Sequence, residues 1–484
     1  MAKKVNIIGA GLAGLSAGIY LQQKGIDTEI FELAPWAGGQ CTTWVRSGYR
    51  FDGCIHWMVG TRKGDPIYQL YCEVGALTES TKIYNAPFIQ AEVNGVLYEI
   101  PMEIEQFQSF LMQYAKGDED KISSIIKDIK TMMRSKLALG APSNLKEAVD
   151  LILHGRGFLS LAAKHGSKTV GEYLEGIKSE KVRQILLRLM PSPFSAVGLI
   201  MMLGTRMSGN AGYPLGGALE VMRRMVEKYK ALGGKLTFNT RVDEIVVENG
   251  SAIGIRAKGK FYPSDDVIAA CDAYDTLKNM LGGKYPHPQL DDMLKNEPLF
   301  DPLAIVSFGL DKRLDIPFSV QYECPDGICV APGVKEYSLH LSSFDFDKDA
   351  APEGSSSVMV MLSAPLDYWQ NLRETDLASY KAQKQKLADD VAAFLDKRIP
   401  GFKDAIRVTD VSTPATYVRL TNVYRASYEG FSPTPSALKR TIKKTIPGLN
   451  HFYLCGQWTT AGGGICTAVA DGKTVAGKIM KERK

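Results

Sequence analysis

The 484-residue sequence has no apolar run long enough to cross a bilayer. Its longest, about Phe194 to Leu203, falls far short of the roughly 18 residues that a spanning helix needs. The N-terminus reads Met-Ala-Lys-Lys and passes directly into a β-prone stretch, with no apolar signal segment. Cysteine is sparse and scattered, the eight residues being Cys41, Cys54, Cys72, Cys271, Cys324, Cys329, Cys455 and Cys466. Only Cys324 and Cys329 are near neighbours, and their spacing suits neither a paired zinc site nor a redox CxxC. Reduced thiols in a reducing, cytoplasmic compartment are expected, with membrane contact confined to a surface. A large charge of one sign is also lacking; +5 over the whole chain makes no case for nucleic acid. There is no internal repeat, no low-complexity linker and no cluster of metal ligands, His154, His165, His287, His340 and His451 each standing alone in sequence. What remains, 45% hydrophobic and 23% charged, is ordinary globular composition, and the length allows two or three domains with cores of their own.

The strongest signal lies in the first forty residues. Val5-Asn6-Ile7-Ile8 runs into Gly9, Gly11 and Gly14 at GxGxxG spacing, an apolar helix follows to Gly25, and Thr28–Phe31 reads as a second strand ending in Glu32. This strand–turn–helix–strand–acid context marks a dinucleotide fingerprint rather than a chance glycine turn. Gly9 permits the tight turn, Gly11 lets the backbone approach a pyrophosphate, and Gly14 lets the helix pack close to the strand. Ala10, Leu12 and Ala13 lie between them, where the helix N-terminus offers free N–H groups to phosphate. Glu32 is placed to accept from a ribose hydroxyl. Gly38-Gly39-Gln40 soon afterwards suggests a second close approach to the same ligand, which favours a cofactor extended across the domain, such as FAD.

Residues 107–207 are mostly helical in pattern, clearest over Lys121 to Leu137, where Ile122, Ile125, Ile126, Ile129, Met132, Met133 and Leu137 form a stripe. Its other face carries Lys121, Lys127 and Lys130, which suits either solvent or an anionic lipid surface. A helix beginning at Gly216-Gly217 leads to strands at Lys235–Phe238, Val242–Val247, Ala252–Ala257 and Val267–Ala270. Short strands then dominate from Leu303 to Pro365, at Ala304–Leu310, Tyr337–Leu341 and Val358–Leu362, followed by a helix from Leu377 to Ile399. The second strong signal is the strand Phe452–Cys455 with Gly456-Gln457-Trp458 and Gly462-Gly463-Gly464, leading into a small-residue helix from Ile465. A glycine run ahead of a helix again turns N–H groups and a positive dipole end towards a ligand.

Taken together, VNIIGAGLAGLSAGIYLQQKGIDTEIFE, GGQ, FDGCIH, YPLGGALEVMRRMVEKYKALGGKLTFNTRVDEI, STPATYVRLT and LCGQWTTAGGGICTAVADGKTVAG resemble a family. The chain is similar over nearly its whole length to the flavoprotein oxidoreductases that include phytoene desaturases, carotenoid isomerases and retinol saturases, relatives of the flavin amine oxidases. The resemblance implies an α/β fold with a discontinuous Rossmann-like FAD-binding domain of glutathione-reductase type and an interleaved α+β substrate domain. The FAD domain is expected at 1–85, 211–280 and 441–484, with the helical part of the substrate domain at 86–210 and its sheet-rich part at 281–440. By the same resemblance, Gly9 to Gly14 hold the pyrophosphate and Glu32 the ribose, while Gly39 and Gln40 sit by the ribityl–phosphate region. Val242 presents its backbone to adenine, and Gly456, Gln457, Gly464 and Ile465 lie against the ribityl chain and flavin ring. Two departures stand out: Gln40 replaces the usual arginine and Gln457 the usual acid. With no histidine or cysteine in a flavin-linkage motif, FAD is expected to be non-covalent. No second fingerprint for a nicotinamide domain is present.

His56, four residues after Asp52, is the candidate acid or base facing the substrate; the alternative is a structural histidine bonded to backbone. The implied function is oxidoreduction at carbon–carbon bonds of an apolar, unsaturated lipid of isoprenoid or carotenoid type, the helical block supplying an apolar tunnel. Two rivals stay open. A flavin amine oxidase requires an aromatic cage, for which Trp458 has no evident second member, and a flavin-bearing lipid-binding protein requires no turnover at all.

Overall fold

A strand buried on both faces must be apolar nearly throughout, and Val5-Asn6-Ile7-Ile8 meets that requirement at the centre of a parallel sheet. The computed structural model describes residues 3–137, 139 and 145–482, except for the side chains of 145–154, so the isolated His154 lies outside the described side chains. The parallel sheet has five strands in the order Lys235–Thr237, Asp27–Phe31, Lys4–Ile8, Asp266–Ala269 and Phe452–Leu454. Every neighbouring pair in it is parallel. It therefore gathers residues 4–31, 235–269 and 452–454 into one layer. An antiparallel meander of Glu244–Glu248, Ser251–Ala257 and Lys260–Pro263 connects two of its strands.

The first helix, Leu12–Gln22, is buried along almost its whole length and has no polar face. It packs against the last helix, Ile465–Glu482, and against Gly217–Ala231. The approach to the last helix is close because Gly472 faces its backbone: a Cβ there would lie 2.6 Å from the Ala13 carbonyl oxygen and 2.7 Å from Ala17 N. Ser16 Oγ donates to the Val469 carbonyl at 2.7 Å across the same contact.

The second layer is a mixed seven-stranded sheet. Its order is Ile406–Ser412, Leu303–Leu310, Ser356–Ser363, Val334–Ser343, Ser319–Ala331, Phe88–Val93 and Val96–Pro101. Alternate residues, among them Val306, Phe308, Leu339, Leu341, Val358 and Val360, pack with Leu387 and Val391 of the helix Leu377–Asp396 in a second core. The opposite face turns towards the parallel sheet and the helices between Ile104 and Met207.

Several elements differ from the sequence pattern for identifiable reasons. Ser319–Ala331 runs through Pro325-Asp326-Gly327, which reads as a turn; the ladder breaks between Glu323 and Ile328, and Gly327 takes a positive φ of 71°. The expected helical segment 86–210 opens with the hairpin Phe88–Val93 and Val96–Pro101, which completes the sheet. Val242 lies outside a strand, which begins only at Glu244. Asn239 N and Thr240 N donate to the Ala34 and Glu32 carbonyls at 3.1 and 2.8 Å, bending the chain across the tips of the parallel strands before it can pair. The helix expected over 121–137 spans Glu119–Arg134, because Ser135 turns extended and releases Leu137 from the stripe. On its basic face Lys130 pairs with Glu105 at 3.4 Å and Lys121 lies 5.7 Å from the Tyr173 ring centre. Among the described residues no helix is long and apolar enough to cross a membrane.

Gly472→Val should destabilise the flavin-free protein by roughly 1–3 kcal/mol, the cost of overpacking a fixed contact. Urea unfolding followed by circular dichroism measures it; an unchanged midpoint would mean that the two helices can separate freely.

Candidate active site

The glycine turns from the two ends of the chain meet at one cavity of about 730 Å³. Gly9, Gly11, Leu12, Ala13, Glu32, Gly39, Gln40, Val242, Gly456, Gln457, Gly464 and Ile465 all line it. Ala10 and Gly14 do not. Ala10 N donates to Glu32 Oε2 at 2.7 Å and its carbonyl accepts from Gly38 N at 3.0 Å, so neither group faces a ligand. Gly14 serves packing, since a Cβ there would fall 2.1 Å from the Gly9 carbonyl oxygen. The cradle itself is open: a Cβ at Gly11 would meet nothing nearer than the Gly38 oxygen at 3.8 Å, and at Gly464 nothing within 4 Å. Gly11 is the N-cap of the first helix and supplies no side chain to it, leaving the leading N–H groups to a ligand. These features fit a pyrophosphate laid across the turn.

Glu32 does more than the fingerprint requires. Its two carboxylate oxygens accept from Ala10 N at 2.7 Å and Ala34 N at 2.8 Å, so the acid also shapes the glycine turn. Burial raises its pKa, and these backbone bonds oppose the rise. Gln40, in place of an arginine, donates to the Ser427 carbonyl at 2.8 Å and ties its glycine pair to the loop 427–430. Gly456 N donates to Asp471 Oδ2 at 2.6 Å, and Asp471 also pairs with Lys444, so a buried acid on the last helix steadies the turn before Gln457.

Beyond the cradle, Asp52 organises the segment that carries His56. Its Oδ1 accepts from Cys54 N and Ile55 N, both at 3.0 Å, and its Oδ2 accepts from Tyr213 Oη and Ala218 N, both at 2.8 Å. His56 then projects to the cavity wall, where its Nε2 lies 3.0 Å from Tyr428 Oη, and Tyr428 donates to the Gly53 carbonyl at 3.1 Å. Both bonds are satisfied together only when His56 carries its proton on Nε2, leaving Nδ1 bare. That Nδ1 is buried without a partner.

The seven-stranded sheet contributes what the sequence reading missed. His340 lies between Leu339 and Leu341, which alternate into the other core, and it pairs across the ladder with Gln321 and Met361. All three line the cavity, and the His340 ring centre is 5.4 Å from that of His56. Its Nε2 meets Ser319 Oγ at 2.9 Å. A lone histidine inside an alternating apolar strand was the available signal. Burial, then the nearby Arg206 charge, pulls His56 down to about 4. Burial, then His56 and Arg206, pulls His340 to about 3, so both rings are neutral near pH 7. Glu429, also on the wall, forms no hydrogen bond or ion pair with the described residues, and burial lifts it to about 7.

From the helical block, Leu137, Phe158, Leu189, Met190, Phe194, Met201 and Met202 extend the cavity as an apolar chamber continuous with the cradle. Trp458 is buried in the wall and meets Phe431 and Tyr424 edge to face, at 84° and 64°, rather than forming one side of a parallel-walled cage.

The sequence profile of flavin-containing amine oxidoreductases matches residues 12–480. The chain belongs to that family. It is accordingly an FAD-dependent oxidoreductase, and the cradle fits that cofactor. The chain is 25% identical over 526 residues to a lycopene-forming phytoene desaturase from Pseudescherichia vulneris, covering 99% of each. It is 22% identical over 509 residues to the chloroplastic prolycopene isomerase of Daucus carota, covering 98% of this chain and 80% of that one. Among solved structures, an oxidoreductase from Methanosarcina mazei superposes with a TM-score of 0.66 at 18% identity, covering 99% of this chain and 100% of that one, a likeness of fold.

Gly11→Val should leave the flavin-free protein folded, since the added Cβ enters open space, yet abolish FAD binding. Glu32→Ala should weaken FAD by roughly 1–3 kcal/mol, the scale of a lost bond to a charged acceptor, and also lower the melting point without flavin, because two backbone donors lose their acceptor. Flavin titration and thermal melts of both apo variants check the pair; equal melting losses would contradict this division of roles.

Glu429 gives a pH test. Its native pKa of about 7 exceeds the ordinary 4.5, so its contribution to stability is complete below pH 4.5 and disappears as pH rises through 7. The melting temperature of flavin-free wild type minus that of Glu429→Gln should fall across this window. A flat difference would mean that the carboxylate is ionised throughout.

Proposed function

We propose that this oxidoreductase acts on C–C and C=C bonds of an apolar unsaturated lipid of isoprenoid or carotenoid type, with FAD held non-covalently. The observation that carries the proposal is the continuity of the cofactor cradle with an apolar chamber, the His56–His340 pair lying on their shared wall. The desaturase and isomerase names of the full-length relatives support the same substrate class. We assign residues 1–85, 211–280 and 441–484 to the cofactor unit and 86–210 and 281–440 to the substrate unit. All eight cysteines are free, which suits a reducing cytoplasmic setting, with lipid delivered at a membrane surface.

Bound flavin supplies hydride exchange with a substrate carbon. The protein's own groups manage the proton at the neighbouring carbon. His56 and His340, neutral and side by side on the cavity wall, are the groups placed to exchange that proton, with His56 fixed by Tyr428. The apolar chamber excludes water and holds the chain in line. The Gly9–Gly14 turn, Glu32, Gly39, Gln40, Val242, Gly456, Gln457, Gly464 and Ile465 grip the cofactor. An amine is disfavoured because an ammonium ion would enter beside the Arg206 charge and find no parallel aromatic walls.

The test uses anaerobic holoenzyme. Reoxidation of reduced flavin by a carotenoid or retinoid in detergent micelles marks saturation, and bleaching of oxidised flavin by a more saturated lipid marks desaturation. Altered double-bond geometry without net flavin change marks isomerisation. His56→Phe and His340→Phe should each slow the reaction by about 10²–10⁴-fold, the usual weight of a positioned acid or base, with flavin still bound. Bleaching by amines alone would overturn the lipid assignment, and silence with every lipid would leave only a carrier.

A further inference from the structure

Arg206 is a cation in the wrong place for a pure hydrocarbon site. It lies in the last turn of the helix Ala196–Met207 and lines the mainly apolar chamber. Its Nε is buried without an acceptor, and no ion pair or hydrogen bond joins the guanidinium to any described residue. Trp57 lies over it, the guanidinium carbon 4.6 Å from the ring centre, a contact that leaves its N–H donors without an acceptor. The carbonyl end of its own helix offsets part of the charge but offers the side chain no acceptor. The acids on the cavity wall do not complement it. Glu32 holds Ala10 and Ala34, Asp272 holds the Asp275 and Tyr424 amides, Asp275 pairs with Arg241 at 3.4 Å, and Glu429, though unpaired, is too far to act on the guanidinium, burial alone shifting each of the two. Arg188, the other cation of the chamber, already pairs with Glu323. Burial drags Arg206 down to about 10, and no neighbouring acid counters it.

We propose that Arg206 is the head-group subsite of the chamber, and that the natural substrate is an unsaturated apolar chain bearing a carboxylate, gripped in bidentate fashion by the two terminal guanidinium nitrogens. A hydrocarbon filling the chamber would expel water from the cation and leave it uncompensated, whereas a carboxylate matches its planar fork. A single unpaired arginine suits one carboxylate better than a diphosphate, which needs several cations. This assignment relies on the polyene reading for the body of the ligand and adds the charged end.

The test measures equilibrium binding to oxidised holoenzyme in neutral micelles, through the shift of the flavin spectrum and ligand absorbance. The probes are all-trans-retinoic acid, its methyl ester and farnesyl diphosphate. The acid should bind at least tenfold more tightly than the ester. Arg206→Met should erase that preference while retaining ester affinity and flavin content, and Arg206→Lys should keep part of it. Equal binding of acid and ester by wild type, which needs no variant, overturns the subsite, as does an unchanged preference in Arg206→Met. Tighter binding of the diphosphate overturns the carboxylate assignment. Selective acid binding without any C=C chemistry keeps the subsite and rejects the polyene reaction. Turnover of polyenes with acid and ester bound alike does the reverse, and no binding of any probe rejects both.

Discussion

The structure depends on the contact between its first and last helices. Each helix follows a glycine turn, and each turn is useful only if the other stands opposite it. Gly472 allows the last helix to rest on the backbone of the first, with Ser16 bonded across to Val469. The two N-termini, Gly11–Leu12 and Gly464–Ile465, thereby border one space. A larger residue at 472 would push the axes apart and enlarge the gap that an extended cofactor must bridge.

Around that contact the molecule is joined by buried carboxylates that act as acceptors for backbone. Asp52 gathers four donors from three segments and so sets where His56 emerges. Glu32 and Asp471 play the same part in the two glycine turns. A buried carboxylate is costly unless its lone pairs are satisfied, and here they are satisfied by amides that would otherwise lack partners. The wall that carries His56 and His340 is thus held by short polar networks inside an apolar surround, and its titratable rings stay neutral because that surround is poorly solvating.

The cofactor half of the site was legible because its chemistry is local. A glycine at a fixed offset from a strand and an acid at the tip of the next strand need only neighbouring residues, and both glycine turns border the cavity. Glu32 was seen as a ribose ligand but not as a brace for its own turn, since that role depends on where Ala10 N points. The substrate half was illegible for the opposite reason. His340 reaches His56 only through the pairing of strands far apart in sequence, and Arg206 looks like an ordinary helix-terminal cation until its missing partner is visible. Pro325 and Gly327 hid a long strand by imitating a turn, and Val242 left its expected strand because Glu32 and Ala34 claim the amides before it.

The order in which the parallel sheet is assembled has a consequence for biosynthesis. Its edge strand, Phe452–Leu454, and the helix that closes the cradle follow all its other strands in sequence and so emerge after them during translation. The strand Lys4–Ile8 and its glycine turn must wait until residues beyond 452 have been made before the facing half of their binding surface exists. The complete cradle therefore forms only once the closing helix has been made. A chain cut short before residue 452 lacks one wall of the cradle, and with it the stabilisation that ligand binding brings.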